Sequence, residues 1–174
     1  MLSHNFMITK AVVEDAHELN TLVNSAYRGD SSRQGWTTEA DLLDGTRTNA
    51  AAIIELIQTP GTTLFKYTEG DQILGCVELR NEKGKLYLGM LTVRPHLQGK
   101  GIGKKLLVAA EEEAKKQNCQ SIFMTVLSVR KELIDWYVRH GYQLTGDRKP
   151  FAFTDPRFGQ PKMKLEFVVL EKKL

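Results

Sequence analysis

Long apolar runs are missing from this chain. None of them approaches the roughly 20 residues that cross a bilayer, so no membrane span is expected. The opening residues MLSHNFMITK lack a basic patch followed by a long apolar stretch, which gives no export signal and points to the cytoplasm. Cysteine is scarce: Cys76 and Cys119 lie far apart with no CxxC or Cys/His spacing around them. They read as two free thiols, buried or half-buried. His4, His17, His96 and His140 have no metal-ligand spacing, so no metal is expected. An excess of one charge is also lacking. The net charge of +3 argues for neither nucleic acid nor a membrane surface as partner. Repeats, low-complexity tracts and linkers are absent.

What is present is an ordinary globular composition, 41% hydrophobic and 26% charged, over 174 residues. That length suits one domain, able to bury about 70% of its unfolded surface. Phe6–Val12 alternates apolar residues as a strand does, and Val13–Tyr27 carries them at helical spacing. Residues 28–37 form a polar loop. Thr38 and Asp41 stand at capping-box spacing for another helix start, and Ala50–Gln58 is a helical piece stopped by Pro60-Gly61. Three strand-like runs follow, Thr62–Thr68, Gln72–Arg80 and Lys85–Val93, joined by hairpin-type links. A glycine-rich loop leads into the helix Gly101–Gln117. Its run of three glutamates (111–113) and two lysines (115–116) reads as a solvated face. Ser121–Leu127 is a strand, Arg130–His140 a helix closed by Gly141, and Tyr142–Thr145 and Lys162–Leu170 are the last strands. The order is that of an α+β protein with a mixed sheet, in which Lys85–Val93, the long helix and Ser121–Leu127 form a parallel βαβ unit.

The loop Gln98-Gly99-Lys100-Gly101-Ile102-Gly103-Lys104 sits between a strand and a helix. Glycines let backbone approach a ligand, and a helix N-terminus offers unpaired N–H groups that suit phosphate. Two commoner nucleotide loops do not fit. The GxxxxGK[ST] pattern fails because Gln98 stands five before Gly103 and Lys105 follows Lys104. GxGxxG fails because the third glycine would be Lys104 or Leu106. From the glycines alone, a flexible basic turn is the competing reading.

The stretch Leu91-Thr92-Val93-Arg94-Pro95 followed by Gln98–Gly103 resembles the signature of the GNAT acetyltransferase superfamily, Gln/Arg-x-x-Gly-x-Gly/Ala after a strand ending in L-x-V and a proline. Trp136-Tyr137 through Gly141-Tyr142 resembles the family's second signature. The resemblance covers about Asn5 to Lys172, a single N-acetyltransferase domain. It implies a GNAT fold, β-α-α-β-β-β-α-β-α-β-β, with a sheet that splays open between its two parallel strands. It further implies acetyl-CoA as acyl donor, with the pantetheine arm on Leu91, Thr92 and Val93 and the pyrophosphate on Gln98, Gly99, Lys100, Gly101, Ile102, Gly103 and Lys104. Two positions depart from the family pattern. Arg130 stands where many members carry asparagine, and Tyr87 where some carry a glutamate base.

Transfer of an acetyl group to an amine has clear needs. An alkyl amine is on the order of 0.1% neutral at pH 7, so a base or a desolvating pocket must act, and the departing thiolate needs a proton. Tyr137 is at the family's position for that acid, although Leu133, Trp136, Tyr137 and His140 also follow core-like helical spacing; Trp136 is read as core. Glu78 is the first candidate base; Glu39, Asp41 or a water chain are alternatives. The acceptor site of this fold is usually lined by the first two helices and the last hairpin. Two segments there mix arginine with aromatics, giving Arg28, Arg33, Trp36, Arg148, Phe151 and Arg157 as substrate-binding candidates. They point to a small-molecule amine that carries an anionic group. A non-catalytic acetyl-CoA-binding module and a protein lysine or N-terminus as acceptor remain alternatives, and the oligomeric state stays open, a homodimer included.

Overall fold

The computed structural model describes residues 5–27, 43–44, 48–150, 160–161 and 165–174. Strand β1 (Phe6–Lys10) leads through a 3-10 turn, Val13–Asp15, into helix α1 (Ala16–Tyr27). The short strand β2 (Leu43–Asp44) precedes helix α2 (Ala50–Gln58). Strands β3 (Thr62–Glu69), β4 (Gln72–Glu82) and β5 (Lys85–Val93) form a meander. A second 3-10 turn, Pro95–Leu97, enters α3 (Ile102–Lys116). Then come β6 (Ser121–Leu127), α4 (Lys131–Arg139), β7 (Gln143–Pro150), β8 (Gln160–Pro161) and β9 (Glu166–Lys173). Seven strands make one sheet in the order β1-β3-β4-β5-β6-β9-β7, while β2 and β8 pair separately. The β5–β6 contact is parallel, as expected for the βαβ unit. No helix among the described residues is long and apolar enough to cross a membrane.

Two apolar clusters sandwich the sheet. On one face Val77, Leu79, Leu86 and Leu88 pack under Leu106, Leu107 and Ala110 of α3, joined by Leu133 and Tyr137 of α4. On the other, Ile73, Cys76 and Met90 meet Leu19, Leu22 and Val23 of α1 and Ile53 of α2. Gly75 shows how tightly α3 lies on β4. A Cβ there would sit 2.8 Å from the Thr92 carbonyl oxygen and 3.1 Å from Leu106 Cδ1. Both cysteines are buried free thiols.

Several boundaries differ from the sequence reading, each for a local reason. Val13 does not begin α1, because Asp15 turns back: its Oδ2 accepts from the Val12 N–H at 2.9 Å and pairs with Lys66 Nζ at 2.8 Å. The last strand runs to Lys173 rather than stopping at Leu170. Charged residues extend it because ion pairs hold them, Glu171 with Lys85 at 3.2 Å and Lys172 with Glu111 at 2.6 Å. Glu111 is therefore no part of a solvated face. Strand β7 extends to Pro150 as an exposed polar edge, which apolar alternation cannot reveal. Asn49, unnoticed in the sequence, caps α2 by accepting from the Ala52 N–H at 2.8 Å. Thr38 and Asp41 lie outside the described residues.

Tyr142 is fully buried, its ring set edge-on to Tyr137 at 5.8 Å, and its hydroxyl makes no hydrogen bond among the described residues. An unmet buried hydroxyl costs about 1–3 kcal/mol. Tyr142→Phe keeps the ring and removes that cost, so its melting temperature in a thermal unfolding scan is expected to equal or exceed the wild-type value.

Candidate functional site

Strands β5 and β6 are paired only from Lys85–Tyr87 to Ser121–Phe123. Beyond Tyr87, β5 runs on to Val93 with β4 alone, and β6 pairs with β9 along its whole length. The sheet opens there into a wedge. A bulge helps to open it. The β4–β5 register shifts between Cys76 and Glu78, and Met90 takes a left-handed φ of 51°, rare for a side-chain-bearing residue. The bulge is tied down from inside, since Thr92 Oγ1 donates to the Met90 carbonyl at 2.9 Å. Helix α1 supplies what β6 no longer gives: the Tyr27 hydroxyl donates a hydrogen bond to the Leu91 carbonyl.

A cavity of about 660 Å³ occupies the opening, within the usual size of a small-molecule site. One wall is Leu91, Val93, Gln98, Gly99, Gly101, Gly103 and Lys104; the other is the face of α4 with Glu132, Leu133, Asp135, Trp136, Arg139 and His140. Gly99 and Gly101 both have φ of 87°, a conformation costly for any other residue, and nothing stands within 4 Å of where their side chains would be. Gly101 is the N-cap of α3, so the first amides of that helix open onto the cavity with no side-chain cap. Gln98 staples the loop to the strand, its Nε2 donating to the Val93 carbonyl at 3.1 Å. Of the loop residues expected at a phosphate site, Lys100 and Ile102 are not among the wall residues; Ile102 is buried in the core. Thr92 is fully buried and also off the wall. The cradle of glycines, helix amides and Lys104 fits a pyrophosphate.

Trp136, expected in the core, is a wall of this cavity. A Cβ at Gly103 would lie 3.2 Å from its Cζ2, so the glycine lets the indole reach the helix. The His140 ring rests on it at 4.4 Å, with Nδ1 2.7 Å from the Trp136 carbonyl.

Tyr137 lies on the inner face of α4, 4% exposed. Burial pushes its hydroxyl well above the ordinary tyrosine value; the neighbouring Tyr27 and Tyr142 add to the rise, the Arg130 guanidinium pulls it back, and Tyr87 adds again. Tyr137 packs with the α3 cluster, yet Tyr27 comes from the opposite face of the sheet, so the two influence each other through the opening. The hydroxyl is thus a proton donor that does not ionise in the neutral range. Arg130, 9% exposed, is the residue immediately before α4.

Glu78 is 8% exposed on the α1–α2 face of β4, in register with Gly89, and its Oε2 stands 3.2 Å from Arg80 Nε. It is therefore across one strand from the opening. Arg148 lies on β7, exposed and ion-paired with Glu166. Arg28, Arg33, Trp36, Phe151 and Arg157, with Glu39 and Asp41, lie outside the described residues. Sequence reasoning missed Tyr27, Arg80, Trp136 and His140 as features of the site. For Tyr27 the only signal was its place at the end of an apolar stripe, which reads as core. For Trp136 a signal was available, because Gly103 can be a packing glycine.

Comparison with known proteins agrees with this geometry. A family model described as an acetyltransferase (GNAT) domain matches residues 31–154. The acetyltransferase Atu2258 of Agrobacterium fabrum is 29% identical over 84 residues, 48% of this chain and 60% of that protein. A probable spermine N(1)-acetyltransferase of Bacillus subtilis subsp. natto is 32% identical over 68 residues, 38% of this chain and 45% of that protein. The chain thus spans about half the length of the curated relatives it matches. Among solved structures, the PaiA N-acetyltransferase of Thermoplasma acidophilum in complex with coenzyme A shares the fold with a TM-score of 0.70 at 19% identity, over 98% of this chain and 99% of that one. The ribosomal-protein-S18-alanine N-acetyltransferase of Escherichia coli does so with a TM-score of 0.73 at 11% identity, over 97% and 94%. The opened sheet, the glycine loop at the start of α3 and the matching domain together make this chain a member of the GNAT acetyltransferase family.

Proposed function

We propose that residues 5–172 form one N-acetyltransferase domain that moves the acetyl group of acetyl-CoA to a primary amine of a small molecule, by direct attack while both substrates are bound. The observation that carries this reading is the wedge between β5 and β6, with a glycine cradle at its mouth and α4, the helix that bears the buried, protonated Tyr137, as its other wall. The backbone of Leu91–Val93 takes the pantetheine arm in place of the missing strand, and the amides of Gly99–Lys104 take the pyrophosphate. A neighbour of the same fold was solved with coenzyme A, and two relatives are named for spermine, which supports the donor and an amine acceptor.

The bound donor supplies the thioester carbonyl carbon, to which the amine nitrogen bonds as the carbon–sulfur bond breaks. Glu78 takes a proton from the amine, directly or through water, and makes it nucleophilic. Tyr137 gives its phenolic proton to the sulfur. Its raised pKa suits that role, because the proton-bearing form persists through the neutral range and is lost only above the ordinary tyrosine value near 10. Arg130, a buried cation beside it, favours the phenolate left after donation.

Three outcomes test the reading. Tyr137→Phe is expected to retain coenzyme A affinity by calorimetry and to lose about 10²-fold or more in kcat; wild-type kcat with chemistry rate-limiting would remove its role. In a kcat/KM profile, any alkaline fall below pH 10 should persist in Tyr137→Phe, since Tyr137 does not titrate there. Gly101→Val forces a β-branched residue to a φ of 87° at the cradle, and coenzyme A affinity should drop sharply by calorimetry; unchanged affinity would move the cofactor elsewhere.

A further inference from the structure

Arg80, Tyr87 and Phe123 are register partners across β4, β5 and β6, on the sheet face that carries Glu78. They make one continuous row. The Arg80 guanidinium lies over the Tyr87 ring, its Cζ 4.5 Å from the centroid, and the Phe123 ring meets the Tyr87 ring at 5.5 Å and 59°. The Tyr87 ring leans along its own strand over Gly89. A Cβ there would be 2.7 Å from Tyr87 Cε2 and 3.0 Å from its hydroxyl oxygen. The glycine therefore makes the room the ring occupies, directly opposite Glu78. Tyr87 and Phe123 are also the last residues paired before β5 and β6 part. The row thus ends at the inner corner of the opening.

A guanidinium has two faces and two hydrogen-bonding edges. Here the Tyr87 ring takes one face, and Glu78 stands beside the Nε edge at 3.2 Å. The edge formed by the two η nitrogens makes no hydrogen bond or ion pair within the described residues, and the side chain is 42% exposed. That edge is the planar fork that matches a carboxylate with two parallel bonds, and stacking on an aromatic ring fixes its plane. Glu78 and Arg80 are two residues apart on one strand, about 6.6–6.8 Å between Cα atoms. An amine set on Glu78 and a carboxylate set on Arg80 are then separated by only a few bonds.

We propose that Glu78 and Arg80 together bind an amino acid-type acceptor, the amine at the Glu78 carboxylate and the acceptor's own carboxylate on the η edge of Arg80, with Tyr87 and Phe123 as an apolar floor. The proposal rests on the reading of Glu78 as base. It separates this chain from its spermine-named relatives, because a polyamine would bring a second cation to a guanidinium and no anion to satisfy it.

Coenzyme A release from acetyl-CoA is measured with three acceptor sets: common α-amino acids and short ω-amino acids, the amides of the same compounds, and spermine. The wild type should favour the acid over its amide by about 10- to 100-fold in kcat/KM, the scale of a charged bidentate contact. Arg80→Gln should bring that ratio close to one, and Arg80→Lys, which keeps the charge without the planar fork, should restore it only in part. A coenzyme A-induced thermal shift verifies that each variant is folded. If Arg80→Gln does not fold, the wild-type ratio alone decides. A ratio near one, with spermine as good an acceptor, overturns the amino acid site and leaves acetyl transfer standing. No transfer to any of the three sets overturns both readings.

Discussion

Three parallel residue pairs between β5 and β6 are the constraint on which the site depends. With more pairs the sheet would close and no cavity could form inside it. With none, the halves carrying the glycine loop and α4 would not be held in one frame. The chain limits pairing with a backbone device: a bulge at Met90 in the left-handed region, anchored by Thr92 and buried against α1. Strain of this sort costs about 1–3 kcal/mol and persists only where surrounding packing holds it. Here α3 presses β4 and β5 from one side and α1 from the other.

The tyrosine network follows from that opening. Tyr27 and Tyr137 belong to helices on opposite faces of the sheet, and in a closed sheet the strands would screen them from each other. The gap brings them into one low-dielectric space, where Tyr27 makes ionisation of Tyr137 harder. A buried arginine in the same space works the opposite way. Proton-donor character at Tyr137 is therefore a property of the opened sheet as much as of the residue.

Much of the architecture was legible in the sequence because it rests on periodicity. Ala50–Gln58, Lys85–Val93 and Ser121–Leu127 were delimited to the residue, since apolar runs bounded by turn residues leave little freedom. The glycine loop was legible because its positions demand backbone shapes only glycine takes easily. Charged strand ends were not, as at Glu171 and Lys172, where ion pairs replace apolar alternation. The acceptor side was read from arginine-rich segments, yet the described residues bring forward Arg80, which in the sequence only closes the strand-like run Gln72–Arg80. Its place in the site depends on cross-strand register with Tyr87 and on the space above Gly89. Neither can be seen along one dimension, because both arise from which residues sit side by side after three strands align.

The position of β9 has a consequence for the order in which the molecule can be completed. Though it follows the other strands of the described residues, it lies between β6 and β7 and among those residues is the sole neighbour of β7 in the sheet. As the chain is synthesised, the meander β3–β5 and helix α3 can assemble from nearby contacts. Strand β6 must wait with one open edge, and β7 with both, until Glu166–Lys173 has emerged. Open edges invite pairing with other chains. The exposed polar character of β7 thus protects an unfinished molecule as well as a finished one.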